Sequence, residues 1–329
     1  MARLFAAEGW EHGQANLNNA WAIQDGTLLG AITGMTGSYC LRYWVTQGQR
    51  IFADQSEVYI SFKYRPTDND DTDAYIFSLM KGSGTRILDV ILDGNGKLAF
   101  YIGTSINGLI GSTVFNTSTT YLIEVRFKMS DAGGVVQVKC DDVMEINYSG
   151  DTKPGADTTF DRINFGNLGG FKSGHFYIDD FAMDDANWIG PTEVRLLKPS
   201  GAGNSTQWSP SAGSNYQCVD ENPYNDADYV LETVAAQKDL YALENLSDTP
   251  DAIKGVQVIG RVVKDGSPTP ANVRLVTRTE STDYNGDDEA VPLNNPKFID
   301  KYYELNPNTS SEWTVTQVNA IEIGIESRT

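Results

Sequence analysis

The stretch "EVYISFKYRP" alternates without a break. Val58, Ile60, Phe62 and Tyr64 fall on one side, Glu57, Ser61 and Lys63 on the other. "TYLIEVRFKMS" repeats the pattern, with Tyr121, Ile123, Val125 and Phe127 opposite Glu124, Arg126 and Lys128. Successive side chains of an extended chain point to opposite faces, so a period of two marks half-buried strand and conflicts with the period of a helix. "ILDVILDGNGKLAFYIG" reads as a hairpin, two apolar strands joined by Asp93-Gly94-Asn95-Gly96. "GGVVQVKCDDVMEINYSG" reads as a second, turning at Cys140-Asp141-Asp142. Roughly eleven such strands at short spacing predict an all-β fold over residues 1–190, an antiparallel sandwich.

A chain of 329 residues is long enough for a second unit. Dense punctuation at Pro191, Pro199, Gly201, Gly203, Pro210 and Gly213 places the boundary, giving units 1–190 and 191–329. In the second, "GVQVIGRVV" alternates Val256, Val258 and Gly260 against Gln257, Ile259 and Arg261, which predicts a smaller β-sandwich. "WTVTQVNAI" offers one helical turn, capped by Thr314, with Val315, Val318 and Ile321 at helical spacing.

Charge narrows the partners. The chain carries 25 Lys and Arg against 44 Asp and Glu, a net of −19. Both units share the excess, so neither offers a basic stripe for nucleic acid or an anionic membrane. No apolar run approaches the ~18 residues of a membrane span, and "MARLFAAEGWEHGQ" lacks the apolar core of a signal peptide. Cys40, Cys140 and Cys218 are odd in number and far apart, so they are expected to be buried thiols in a reducing cytoplasm. Two histidines, His12 and His175, leave little for a histidine zinc centre or a Ser-His-Asp triad.

Carboxylates are the remaining candidates. "GHFYIDDFAMDD" interrupts an apolar strand with Asp179 and Asp180. Strand alternation sends them to opposite faces unless a bulge realigns them, which opposes a shared proton or metal. A structural role is the first reading, calcium ligation the second, catalysis the third. The loop "TDNDDTDAY" holds Asp68, Asp70, Asp71 and Asp73, hard oxygen ligands that suit calcium but lack the EF-hand spacing. "AIEIGIE" places Glu322 and Glu326 at the outer spacing of a glucanase carboxylate triad, with Gly324 where the central Asp belongs. No other metal, cofactor or catalytic residue is expected. "SGAGNS" lacks the Lys-Ser/Thr and helix of a phosphate loop. Trp10, Trp21, Trp44, Trp188, Trp208 and Trp313 are read as core residues first and sugar-stacking platforms second.

The ordered series "VYISFKYRP", "YIFSLM", "ILDVILDGNGKLAFYIG", "YLIEVRFKMS", "GVVQVKCDD" and "FYIDDFAM" resembles the laminin-G-like, or concanavalin-A-like, jelly roll. The opening "LFAAEGWEHGQANLNNAWAI" and the C-terminal series from "RLLKPSGAGNSTQW" to "VNAIEIGIES" resemble virion structural proteins of tailed bacteriophages. Gly9-Trp10-Glu11-His12 departs conservatively from the Gly-Phe-Asp opening of that pattern. The resemblance implies a non-enzymatic component on the particle exterior: a capsid decoration, head fibre or tail-surface protein. Such a protein is made and folded in the bacterial host cytoplasm and then held on the virion by other virion proteins, as a homo-oligomer. A jelly-roll adhesin that contacts host glycans is the alternative, and a glycoside hydrolase using Glu322 and Glu326 is third.

Overall fold

The computed structural model describes residues 4–8, 22–24, 27–30, 35, 37, 39–43, 47–67, 74–82, 84–103, 105–166, 176–266 and 270–329. It divides into two compact units, the first running to Arg195 and the second from Leu196 to Thr329.

Two antiparallel sheets build the first unit. In spatial order, one runs Val143–Gly150, Gly134–Cys140, Tyr121–Lys128, Glu57–Pro66, Phe176–Asp184, Tyr39–Tyr43 and Thr27–Gly30. Leu4–Glu8 also pairs with Phe176–Asp184, making eight strands. The other, of seven strands, runs Ser105–Val114, Lys97–Ile102, Thr85–Leu92, Ala74–Lys81, Phe160–Gly166, Gln47–Gln55 and Ala22–Gln24. This is the concanavalin-A-like jelly roll that the strand series led one to expect. Both expected hairpins form. Asp93 closes one by accepting hydrogen bonds from the amides of Asn95 and Lys97 on Oδ1 and from Gly96 on its carbonyl. Asp141 and Asp142 close the other, both with positive φ.

The inward residues of the alternating strands make the core. Phe62 meets Phe77 and Phe165 of the facing sheet at ring centroid distances of 5.8 and 5.9 Å, and Phe165 meets Phe181 at 5.3 Å. All four are fully buried, and each buried ring of this kind contributes about 1.5–3 kcal/mol.

One strand departs from simple alternation. Phe176–Asp184 pairs with Glu57–Pro66 in one register up to Asp179↔Lys63, then resumes at Ala182↔Ser61. Asp180, at φ 49°, is the residue inserted at the bulge. Alternation alone would separate Phe181 and Met183 from Phe176 and Ile178. The bulge restores all four to the buried core.

At the open edge of the sandwich, Glu145 on Val143–Gly150 reaches the edge strand of the other sheet. Its Oε2 accepts from the amide of Thr113 at 2.9 Å and from Ser112 Oγ at 2.8 Å. Its Oε1 accepts from Thr113 Oγ1 at 2.6 Å. The carboxylate thus takes the place of a neighbouring strand for backbone that would otherwise stay unpaired.

The second unit is a six-stranded antiparallel sheet and two short ribbons. Val258, Val262, Val273, Leu275 and Ile299 form one core; Trp313, Val318 and Ile321 form another. The expected helical turn is present at Val315–Asn319. Thr314 Oγ1 accepts from the Gln317 amide, and the Gln317 side chain accepts from the Thr314 amide, a reciprocal capping box.

Burial pushes the Glu145 carboxyl upward, but its bonds to Ser112 and Thr113 more than offset this and hold it below the usual range. A depressed carboxyl stabilises the fold above its unfolded pKa, ~4.3, and that contribution is lost as pH falls through the folded value. Glu145→Gln should therefore cost about 1–3 kcal/mol at neutral pH. The gap between variant and parent should close on acidification, as read by urea unfolding at stepped pH.

Candidate functional site

Each sheet of the jelly roll has an outer face, and the two are used differently. On the eight-stranded sheet, the outward residues of Glu57–Pro66, Tyr121–Lys128 and Phe176–Asp184 bind the segment that follows the last strand. Glu124 Oε1 accepts from the Gly190 amide at 2.9 Å, and Ser61 Oγ donates to the Gly190 carbonyl at 3.3 Å. Asp184 Oδ1 accepts from the amides of Ala186 and Asn187. Trp188 packs on Tyr59 beneath the Lys139 ammonium.

Asp179 and Asp180 belong to this arrangement. Both are buried. Asp179 Oδ1 accepts from the Asp180 amide at 2.8 Å. Asp180 Oδ1 accepts from the Val194 amide at 2.7 Å, and Oδ2 pairs with Lys63 Nζ at 2.8 Å. Removing one partner of a buried ion pair costs about 3–5 kcal/mol. Asp180→Ala should lower the unfolding midpoint accordingly and open residues 190–195 to limited proteolysis. Both Asp180 oxygens are engaged, so added calcium should leave the midpoint unchanged; a rise would place an ion on this pair. The other calcium candidates, Asp68, Asp70, Asp71 and Asp73, lie outside the described residues. Among the described residues, no group of three His, Cys, Asp or Glu is placed to hold a metal.

The outer face of the seven-stranded sheet is built otherwise. Register brings Gln49, Asn164, Ser78, Asp89 and Tyr101, one from each of five neighbouring strands, into a single row. A second row, Tyr75, Ile91, Ala99 and Ile110, runs beside it and is mostly apolar. A third contains Arg162, Met80 and Arg86. The short side chains Ser78, Asp89 and Asn164 are buried, while the longer Tyr75, Arg86, Tyr101 and Arg162 are part-exposed.

Within the polar row, Ser78 Oγ donates to Asp89 Oδ1. The Arg86 guanidinium lies 3.5 Å from Asp89 Oδ2 and donates to the Tyr75 hydroxyl at 3.0 Å. Burial pushes the Asp89 carboxyl up, against the opposing pull of Ser78 and Arg86. Among the described residues, Asn164 Nδ2 donates to the soft Met80 Sδ at 3.1 Å, and Asn164 Oδ1 is buried with no hydrogen-bond partner. An orphaned buried amide oxygen costs about 1–3 kcal/mol. The row therefore holds an unused acceptor beside a carboxyl that burial pushes upward.

None of these residues stood out in the sequence. The available signal was a lone polar residue inside an apolar strand at outward parity: Ser78 in "YIFSLM", Asp89 in "ILDVIL", Asn164 in "DRINFG".

The remaining candidates disperse. Glu322 Oε2 accepts from the Asn204 amide at 2.8 Å. Glu326 is clamped by Arg274 and Arg328. A Cβ at Gly324 would sit 1.8 Å from the Asp239 carbonyl oxygen, so the central carboxylate of a glucanase triad has no room there. A polar cleft of about 320 Å³ in the second unit is lined by Asn204, Gln207, Lys238, Asp283 and Glu326, but its charges are spent on one another and on neighbouring arginines. Trp313 is a core residue and Trp208 is half-buried. His12, His175, Trp10, Trp21 and Trp44 lie outside the described residues. The three cysteines are buried and none forms a disulfide; burial pushes the Cys140 thiol up to about 12. No described helix is long and apolar enough to cross a membrane.

Fold and face define an all-β protein led by a concanavalin-A-like jelly roll. No protein-family model matches the chain, and no curated protein is found similar to it. Solved structures are. An endo-β-1,4-glucuronan lyase from the fungus Trichoderma reesei is similar at TM-score 0.42 and 10% identity, over 56% of this chain and 96% of that one. An alginate lyase solved with an alginate trisaccharide is similar at 0.39 and 13%, over 55% and 98%. A carbohydrate esterase of a Shiga toxin-encoding bacteriophage is similar at 0.43 and 10%, over 57% and 100%. At these values the likeness carries no activity across.

The expectation of a non-enzymatic virion component is nevertheless overturned. The three solved structures named above are two polysaccharide lyases and a carbohydrate esterase, and these comparisons lend no support to a virion role, virion partners or oligomerisation. The expectation that the chain is not an enzyme is corrected with it, on the same lyases and esterase.

Asp89 offers a direct check. A raised carboxyl favours the fold most when protonated, and its contribution falls as pH climbs from the ordinary value, ~3.9, through the folded one. Asp89→Asn should become progressively more stable relative to the parent as pH rises, by chemical unfolding at stepped pH. A constant difference would mean that Asp89 titrates alike in the folded and unfolded chain.

Proposed function

We propose that the chain is a carbohydrate-active β-sandwich protein that binds a glycan on the outer face of its seven-stranded sheet. The observation that carries this reading is the unpartnered, buried Asn164 Oδ1 in a row with Ser78 and Asp89. A sugar offers hydroxyls that donate and accept, together with an apolar ring face. The polar row answers the hydroxyls. In the neighbouring row the part-exposed Tyr75 and the exposed Ile110 answer the ring face. The alternative of a phosphorylated or nucleic-acid ligand finds no basic field in a chain of net charge −19.

The test is binding of the purified chain to a panel of neutral and acidic polysaccharides, with product release followed in the same samples. Asn164→Leu, which fills the site without the orphaned acceptor, should weaken binding about tenfold or more, equivalent to ~1.4 kcal/mol, while the unfolding midpoint stays the same or rises. Asp89→Asn should weaken binding, and should abolish turnover if the carboxyl donates a proton to the glycan. Absence of binding across the whole panel would refute the reading.

A further inference from the structure

In the second unit, Ser209–Pro210 and Val230–Leu231 pair as a two-stranded ribbon outside the main sheet. Its two edges differ. Tyr229 takes its partners from the first strand: its carbonyl accepts from the Ser211 amide at 2.8 Å, and its amide donates to Ser211 Oγ at 3.0 Å. Bonded and non-bonded pairs alternate along an antiparallel ladder. Val230 therefore faces Pro210 as a non-bonded pair and turns its N–H and C=O to the outer edge. Among the described residues, no strand pairs with that edge. The opposite edge belongs to Pro210, which has no N–H to offer. One side of the ribbon is closed to a further strand, and the other is open to one.

The side chains of the open strand are exposed as well. Tyr229 and Leu231 share one face by alternation and are each 50% exposed, and Val234 beyond them is 57% exposed. Asp228 and Glu232 fall on the other face, on either side of Val230. Ser211 Oγ donates to Asp228, and the amides of Thr233 and Val234 donate to Glu232, so both carboxylates are positioned but keep their charge. Glu221 lies beside Asp228; burial and the charges of Asp228 and Asp220 push its carboxyl up. Among the described residues, Asp220, Glu221, Asp228 and Glu232 have no lysine or arginine partner, whereas Asp226, Asp283 and Glu326 of the same unit each have one. The sequence supplies the reason: between Lys198 and Lys238 there is no Lys or Arg.

An open edge with an apolar face and an uncompensated acidic one specifies its occupant by charge. A second copy of this chain, at a net −19, is repelled, as are nucleic acid and anionic lipid. We propose that the edge along Val230 docks an extended segment of a cationic protein, alternating apolar and basic side chains, as an added strand. The Val230 backbone supplies the pairing. The partner's apolar side chains lie on Tyr229 and Leu231, and its lysines or arginines meet Asp228 and Glu232 on the other face.

Synthetic peptides of about six residues, an ordinary strand length, test this by calorimetric titration of the full chain. One alternates lysine with valine, one lysine with serine, and one glutamate with valine. The lysine-valine peptide should bind about tenfold or more tighter than the other two and should slow hydrogen exchange at the Val230 amide. Val230→Pro removes the edge donor without breaking a bond to Pro210, and should weaken that peptide about tenfold or more. Tyr229→Ser combined with Leu231→Ser, at exposed positions, should cost as much even if the proline variant folds poorly. Glu232→Gln keeps an acceptor for Thr233 and Val234 but loses the charge, and should weaken the lysine-valine peptide alone. A lysine-serine peptide that binds equally well, or binding indifferent to both edge variants, would mean a general attraction of an acidic chain for a cation and would overturn the added strand. Failure of the lysine-valine peptide to bind would overturn it as well.

Discussion

A carboxylate can be buried only if amides or cations surround it, and this requirement separates the two faces of the jelly roll. On the eight-stranded sheet it is met in full at Asp180 and Asp184. Asp180 collects a backbone amide and a lysine, and Asp184 collects two amides. Those contacts hold the chain that leaves the last strand against the sheet, so that face is committed to architecture. On the seven-stranded sheet the requirement is met only in part. Asp89 has a hydroxyl and a distant guanidinium, and Asn164 has an acceptor with nothing to accept. Incomplete satisfaction at a buried site destabilises a fold, and it is most readily maintained where a ligand completes it.

The same division orders the interior. Phenylalanines from both sheets meet edge to face, which fixes the spacing and alignment of the sheets and with them the register of every outward residue. The polar row therefore inherits its straightness from the core beneath it. Glu145 secures the open edge by serving as partner to backbone of the opposite sheet, so the two layers are tied at their rim as well as through their centre.

What could be read from the sequence was what is local. Period-two strands, the Asp93–Gly96 hairpin, the Asp141–Asp142 hairpin and the Thr314 cap all declare themselves within about ten residues, and all are present. The aspartate pair was also visible, with a structural role as its first reading, but its partner was not: the amide that binds Asp180 belongs to Val194, beyond the strand's end. The candidate site was least legible. Ser78, Asp89 and Asn164 are single polar residues in three separate strands, and only their pairing register makes them neighbours. The Glu322 and Glu326 pair shows the converse. Its spacing is suggestive in the sequence, yet an amide and two arginines already occupy its oxygens.

The bulge at Asp180 carries one more consequence. A strand of alternating residues has a phase, and this strand changes phase at one position. Substituting Asp180 removes contacts but leaves the residue count, and with it the phase, alone. Deleting it would be a different kind of injury: the downstream half would slip by one place, turning Phe181 and Met183 outward and Ala182 and Asp184 inward. In a population of natural variants, this site should accept exchanges of side chain far more readily than any change in length.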